Sequence, residues 1–340
     1  MTERRRDGLL RAEWLWLAAI VLIEIVTLSI LERNFLTEFN LYVVLRGVAV
    51  TLIVAYAQMV VLSVGQMNLA VGAAGGMVAV MTGGMMEVWG LPTLLAIAAG
   101  LLIGTAAGFV NGMLTTRTGI NGFIITLATA SAFGGITIGL NNAKPFYNLP
   151  KRYVQFGQER WTAFPAIALV TVAVTIALAI LLGRVRLGRQ ILAVGGNPRA
   201  ATLSGIPVNR IIVIVHTLSG LLSAIAGILL MARLGSAQPS IGSDWLLPSF
   251  AIPIVGGIAL AGGSASVLNT VLAAFLIALI ENGLVLTQVD PYWYQFLLGA
   301  IILGAVGLNR LRAVQPGVSG RRWILGPRTV PTELPSGVRR

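Results

Sequence analysis

Cysteine is absent from the 340 residues, histidine occurs once, at His216, and lysine occurs only at Lys144 and Lys151. Without cysteine the chain can build no disulfide, no thiolate nucleophile and no Cys-ligated zinc site. A single histidine removes His-cluster metal sites and most triad chemistry. Charge is scarce as well: 11% of residues are Asp, Glu, Lys or Arg, against about a quarter in a soluble globular protein. With 56% hydrophobic residues, the apolar surface exceeds what one soluble core could hide, and the chain reads as an integral membrane protein. Metalloenzyme and hydrolase chemistry is set aside with the soluble classes.

What is present is a series of apolar runs. Crossing a hydrocarbon core of about 30 Å takes roughly 20 residues of helix, because every backbone group must be satisfied within the segment. The candidate runs are Trp14 to Leu31, Val43 to Leu62, Leu69 to Met86, Thr93 to Leu114, Phe123 to Leu140, Phe164 to Leu182, Ile211 to Ala232, Ser249 to Ala261, Val267 to Thr287 and Trp293 to Leu308. The expected fold is thus an all-α polytopic membrane protein of about ten transmembrane helices, with short or broken helices near Gly65–Gly72 and Gly256–Gly263. The first run is long and lacks a small-residue cleavage site, so it is expected to be a retained helix. The eighth is only long enough for about 20 Å of helix, and is read as a short crossing extended by irregular backbone around Gly256, Gly257, Gly262 and Gly263. Such backbone survives at membrane depth only inside protein or beside a water-filled cavity.

The net charge of +12 sits in the loops and at the chain ends, with no aromatic-interleaved basic stripe, so nucleic acid is not an expected partner. With the N-terminus cytoplasmic, 17 of the 24 basic residues fall inside: Arg4, Arg5, Arg6, Arg11, Arg117, Arg184, Arg186, Arg189, Arg199, Arg210 and the tail arginines from Arg310 to Arg340. That asymmetry favours an even number of crossings with both termini cytoplasmic. The chain divides into a basic cytoplasmic N-terminus over 1–13, a membrane domain over 14–309 and a basic tail over 310–340. The tail, poor in apolar residues, is expected to be disordered and to meet anionic lipid headgroups.

No glycine-rich phosphate cradle ends in Lys and Ser or Thr, so the chain binds no ATP and no cofactor of its own. Ion coupling would need ionisable groups at depth, for which only Glu24 and Glu281 are available. The segment Gly65-Gln-Met-Asn-Leu-Ala-Val-Gly72 interrupts the apolar pattern with two amides. Gln66 and Asn68 either line a polar path for a neutral hydroxylated solute or simply join two helices at a turn. Asn121 and Asn269, with Asn111 and Ser131, are further intramembrane polar residues, each more naturally a link between helices than a solute contact. His216 reads as a packed, neutral side chain.

The loop from Gly183 to Arg210 carries a helix-start signal in Asn197, a first-turn residue in Pro198 and an exit in Gly205. It predicts a helix over Pro198 to Ser204, too short to stand alone in water. Something must pack against Ala200, Ala201 and Leu203: either this protein's own helix ends or a cytoplasmic partner.

At this loop the sequence resembles the membrane-spanning permease subunits of bacterial ATP-binding-cassette importers for ribose and related sugars, a branch that includes the autoinducer-2 permeases. The resemblance is carried by Gly188-Arg-Gln-Ile-Leu-Ala-Val-Gly-Gly-Asn197 with Ala200, Ala201, Ser204, Gly205 and Ile206, then Leu218-Ser-Gly220, Gly235-Ser-Ala-Gln-Pro239, Gly256-Gly257 and Asn282-Gly-Leu284. The sequence departs from the family pattern at Asn68-Leu-Ala-Val-Gly72, where the family usually has Asp, at Asn121-Gly-Phe123, at Leu246-Leu247 and at Gly262 to Thr270.

The resemblance implies a paired permease, as two copies or with a paralogue, and separate ATPase subunits that hold the ATP and magnesium. It also implies a periplasmic or lipid-anchored solute-binding protein and a location in the bacterial inner membrane. It makes Gly195, Gly196, Asn197, Pro198, Ala200, Ala201 and Gly205 the contact through which the ATPase drives alternating access. Gln66, Asn68, Asn121 and Asn269 become candidates for the translocation path. The expected function is import of a ribose-like or related monosaccharide. The runner-up readings are a permease for branched-chain amino acids or nucleosides and, behind it, a stand-alone ion-coupled carrier.

Overall fold

Long apolar stretches without interior proline favour helix, since in lipid only a helix satisfies its own backbone. The computed structural model describes residues 3–290 and 292–314. Its helices are α1 (Glu3–Leu31), α2 (Glu38–Leu62), α3 (Val71–Glu87), α4 (Thr93–Thr118), α5 (Gly122–Asn141), α6 (Lys151–Gln158), α7 (Ile167–Gly183), α8 (Arg186–Gly196), α9 (Pro198–Leu203), α10 (Val208–Leu234), α11 (Leu246–Val255), α12 (Val267–Leu286) and α13 (Tyr292–Val314). A two-residue hairpin, β1 (Arg160–Trp161) against β2 (Phe164–Pro165), follows α6. The fold is all-α and polytopic.

Six of these helices are long and apolar enough to cross a membrane: α2, α4, α5, α10, α12 and the Trp14–Leu31 part of α1. A seventh span is available if α7 and α8, bent by 69° at Arg184 and Val185, count together. The expected count of about ten is therefore not established by length and composition. α3 has 17 residues and α11 only 10. α11 stops at Val255 rather than Ala261 because Gly256 caps it and Gly257, Gly262 and Gly263 all take positive φ, a conformation that ends a helix. α1 begins at Glu3, ahead of the apolar run, and α13 continues to Val314. Residues 315–340, the rest of the tail expected to be disordered, lie outside the described residues.

α2 and α10 form the centre. Tyr56, Ile53, Met59 and Leu62 of α2 are fully buried, as are Val215 and Met231 of α10. Around them, α1, α4, α5 and α7 turn apolar side chains such as Leu22, Ile23, Leu102, Leu127 and Ile176 outward, a surface that acyl chains solvate as well as a core does. The most extensive helix contact, α4 on α10, is made by glycine. Gly100, Gly104, Gly108 and Gly112 recur every fourth residue on one face of α4. A Cβ on Gly104 would meet the Gly220 carbonyl oxygen at 2.8 Å, and one on Gly220 would meet Gly108 Cα at 2.7 Å. Absent side chains let the backbones touch, the usual way helices gain packing energy where lipid removes any hydrophobic driving force.

Loops and caps sort into two ends. One end gathers the start of α2, α6, the hairpin and the exit of α10: Tyr42 Oη donates to the Gln158 carbonyl at 3.0 Å, and the Phe146 and Ala237 backbones pair. The other end gathers the exit of α2, the start of α5, α8, α9 and the turn after α11.

Candidate functional site

At the second end, the short helix α9 forms as its signals require. Asn197 sits at φ −160°, ψ 100° and its Oδ1 accepts from the Ala200 amide at 3.1 Å, Pro198 occupies the first turn, and Gly205 leaves at φ +76°. Six residues cannot hold a helix alone, and the chain supplies one anchor. Ala201 is 4% exposed and packs into the core, whereas Ala200 is exposed and Leu203 is 90% exposed. The two alternatives for this helix therefore divide by face: own-chain docking takes Ala201, and Ala200 and Leu203 point away. Leu203 is flanked by Arg199 and Arg210, outside any apolar run.

α8 carries Gly195 and Gly196, which differ sharply. Gly195 is buried, and a Cβ there would collide with the Ser63 carbonyl oxygen and lie 2.5 Å from the Gly263 amide nitrogen. A Cβ on Gly196 meets nothing within 4 Å. Gly195 is thus placed against its own chain rather than at a surface a partner could touch. Three backbone segments meet here. The Gly263 amide donates to the Ser63 carbonyl at 2.9 Å, a Cβ on Gly65 would meet the Ala261 oxygen at 2.8 Å, and one on Gly262 would meet the Gly65 nitrogen at 2.5 Å. Gly65, Gly262 and Gly263 all have φ between +72° and +87°, where a side chain is strained as well as crowded. The junction joins α8 to the exit of α2 and to the turn between α11 and α12.

The path candidates separate into two places. Asn68 is buried with its amide engaged at both ends: Nδ2 donates to Ser219 Oγ of α10 at 2.9 Å and Oδ1 accepts from the Ala70 amide at 2.9 Å. The Leu69 amide donates to Thr126 Oγ1 of α5 at 3.0 Å, and Gln66 Oε1 accepts from the Gly122 amide at 3.3 Å. Asn121 is exposed and caps α5, its Oδ1 accepting from the Phe123 amide at 2.9 Å. Gln66, Asn68 and Asn121 are therefore brought together where the α2–α3 break meets α5. Asn269 lies apart, buried in the first turn of α12 beside Gly256. His216 is fully buried near Gly112 and Gly122, and neither ring nitrogen has a hydrogen-bond partner among the described residues.

At the opposite end lies a cavity of about 600 Å³ between α2, α10, α11, α12 and α13. Arg233 from the last turn of α10, Asp244 from the turn before α11, and Glu281 of α12 all line it, with Trp245 and Tyr294 among the aromatic walls. Arg233 Nη1 donates to the Arg46 carbonyl at 3.4 Å, while its Nε is shielded and without a partner among the described residues. Beside this cavity the Tyr42 ring is flanked by two guanidinium groups, Arg46 at 5.4 Å and Arg160 at 5.9 Å, a cation–π arrangement that holds basic side chains at a half-apolar boundary. The sequence offers Glu281 only as an ion-coupling option. Three residues from three separate elements leave no local spacing to read.

The chain matches, over residues 33–306, the family described as the permease component of the branched-chain amino acid transport system. Among curated proteins it is 35% identical to a ribose import permease of Bacillus subtilis (strain 168), across 92% of this chain and 98% of the relative. It is 34% identical to a D-allose transport system permease of Escherichia coli (strain K12), across 83% and 87%. It is also 32% identical to a fructose import permease of Rhizobium meliloti, across 83% and 80%. No solved structure matches. With most of its length covered by the family and by these relatives, this chain belongs to the permease-component family of transport systems, as a multi-pass membrane protein.

Proposed function

We propose that the chain is the membrane-spanning permease subunit of an ATP-binding-cassette importer, carrying a monosaccharide into the cytoplasm by alternating access. The relatives named for ribose, allose and fructose support the solute class. In this reading α1 to α5, α7 and α10 to α13 all cross the inner membrane, the shorter ones completed by irregular backbone, and both termini face the cytosol. The α8–α9 end is cytoplasmic, in keeping with Arg184, Arg186, Arg189, Arg199 and Arg210 beside it. The α6 end faces outward and receives a solute-binding protein, and a second permease copy or paralogue completes the path. ATP and magnesium belong to the ATPase subunits.

The observation that carries the reading is the outward face of α9. A capped helix anchored by Ala201 presents a 90% exposed leucine, an apolar group that a partner's groove would cover favourably. Asn197, Pro198 and Gly205 shape that helix, Ala200 and Leu203 meet the ATPase, and Gly196 sits beside them. Gly195 and Ala201 act from behind, fixing α9 and α8 to the bundle. Closure of the ATPases then moves α8, and the glycine junction passes the displacement to α2 and to the α11–α12 turn. Gln66, Asn121 and Asn269 remain proposed for the solute path, and Asn68 for its support.

Reconstitution tests this. The chain with its ATPase and binding protein should take up D-ribose, D-allose or D-fructose only with ATP. Full-rate uptake by the chain alone, down an ion gradient, would end the proposal. The family's description favours a second reading, a branched-chain amino acid as solute, and competition of leucine against the three sugars separates the two.

A further inference from the structure

Charged side chains within a membrane domain must be hydrated or paired, and they cluster where polar solutes or ions pass. The cavity at the α6 end holds one arginine and two carboxylates. No ion pair within 4.0 Å joins Arg233, Asp244 and Glu281 among the described residues, although Glu281 lies within electrostatic reach of both others. Arg233 Nε is buried without a partner among the described residues. Asp244 and Glu281 are both exposed.

The mix of groups narrows what could bind. An anion would face both Asp244 and Glu281, while a cation, though drawn by the two carboxylates, would still face Arg233. A neutral polyol meets neither penalty. Each hydroxyl donates one hydrogen bond and accepts others, so it can satisfy a carboxylate and a guanidinium at once. Trp245 and Tyr294 supply apolar walls for the C–H faces of a sugar ring. The volume, about 600 Å³, falls inside the roughly 300–1,000 Å³ common to small-molecule sites.

We infer that this cavity is a sugar-binding vestibule of the permease itself, in which Glu281 and Asp244 accept from ring hydroxyls, Arg233 donates to them, and Trp245 and Tyr294 form the apolar wall. The inference rests on the importer reading and deepens it: the permease selects its solute by chemistry at the entrance, in addition to any selection by the binding protein.

The test uses the permease in nanodiscs for binding, and the full complex with ATPase and binding protein in proteoliposomes for uptake, with D-ribose, D-allose and D-fructose as probes. Glu281→Gln and Arg233→Gln should each weaken binding by about tenfold, the loss of one charge-assisted hydrogen bond, while subunit assembly and ATP hydrolysis persist. Thr51→Phe fills the cavity from α2 without removing any charged group and should abolish binding. Gln295→Ala, an exposed lining side chain, serves as a milder variant if a charge substitution impairs folding, and should weaken binding measurably. If wild-type complex moves a sugar and these variants bind and move it equally well, the vestibule is overturned and the importer reading survives. If sodium chloride titrates the site and none of the sugars does, the vestibule is likewise overturned. If wild-type complex moves no sugar at all, the importer reading falls and the vestibule falls with it.

Discussion

The two ends of this molecule are built on opposite principles. At the α6 end, side chains from separate elements surround open space, with Arg233, Asp244 and Glu281 around about 600 Å³. At the α8–α9 end, side chains are missing where it matters, and the backbones of Ser63, Gly65, Gly195, Gly262 and Gly263 touch. Space with polar walls suits recognition. Close backbone contact suits transmission, because a packed junction cannot absorb a displacement and must pass it on. On this contrast rests the proposal that one end binds solute and the other couples to the ATPase.

Substitutions can break that contrast. The largest effect is expected for Gly195→Val, where two branches must displace the Ser63 carbonyl and the Gly263 amide. Overpacking of this kind costs about 1–3 kcal/mol or more, and thermal unfolding in detergent should show a clear drop together with lost sugar-stimulated ATPase activity. Gly196→Ala beside it should leave the unfolding temperature unchanged, since a Cβ there meets nothing within 4 Å. Equal behaviour of the two would remove the junction from the account.

A smaller effect is expected for Asn40 and Asn282, which exchange two buried amide hydrogen bonds of 3.0 and 2.8 Å between α2 and α12 at the α6 end. Either single change to leucine strands the partner amide at about 1–3 kcal/mol, at the lower end in a membrane domain. The double change should recover most of that loss, and a double-mutant cycle on unfolding measures it. Smaller still, Thr51→Phe should change stability by under about 0.5 kcal/mol, because the ring enters space that already exists. A cost as large as that of Gly195→Val would mean that the outer end is packed as tightly as the inner one. Leu203→Asp should leave stability untouched and act only on the partner, read as ATPase lost from the purified complex.

Much of this was legible in the sequence. The apolar runs located the long helices, and Asn197, Pro198 and Gly205 located α9, because caps are written in adjacent residues. The turn glycines near 65 and 256–263 also marked the broken segments. Other features needed three dimensions. The four-residue spacing from Gly100 to Gly112 is visible in the sequence, yet its partner Gly220 on α10 is not. α6 is held by contacts that no local pattern shows. Its hold comes from Gly157, whose Cβ would strike the Ala232 backbone, and from Tyr153, whose hydroxyl donates to the Ile228 carbonyl. The family resemblance makes Gly195 a partner contact along with Gly196 and Asn197, and only its collision with Ser63 turns it inward. The vestibule residues come from helices distant in sequence, so no local pattern announces them.

The central claim is that α9 faces the cytosol and meets the ATPase there. Since the natural chain has no cysteine, Leu203→Cys and Lys144→Cys each introduce a single thiol, one at each end. In oriented membrane vesicles, a membrane-impermeant maleimide should label the thiol at 203 only from the cytoplasmic side and the one at 144 only from outside, with ATPase present protecting the first alone. Labelling of the thiol at 203 from outside, or no protection by the ATPase, would contradict the account.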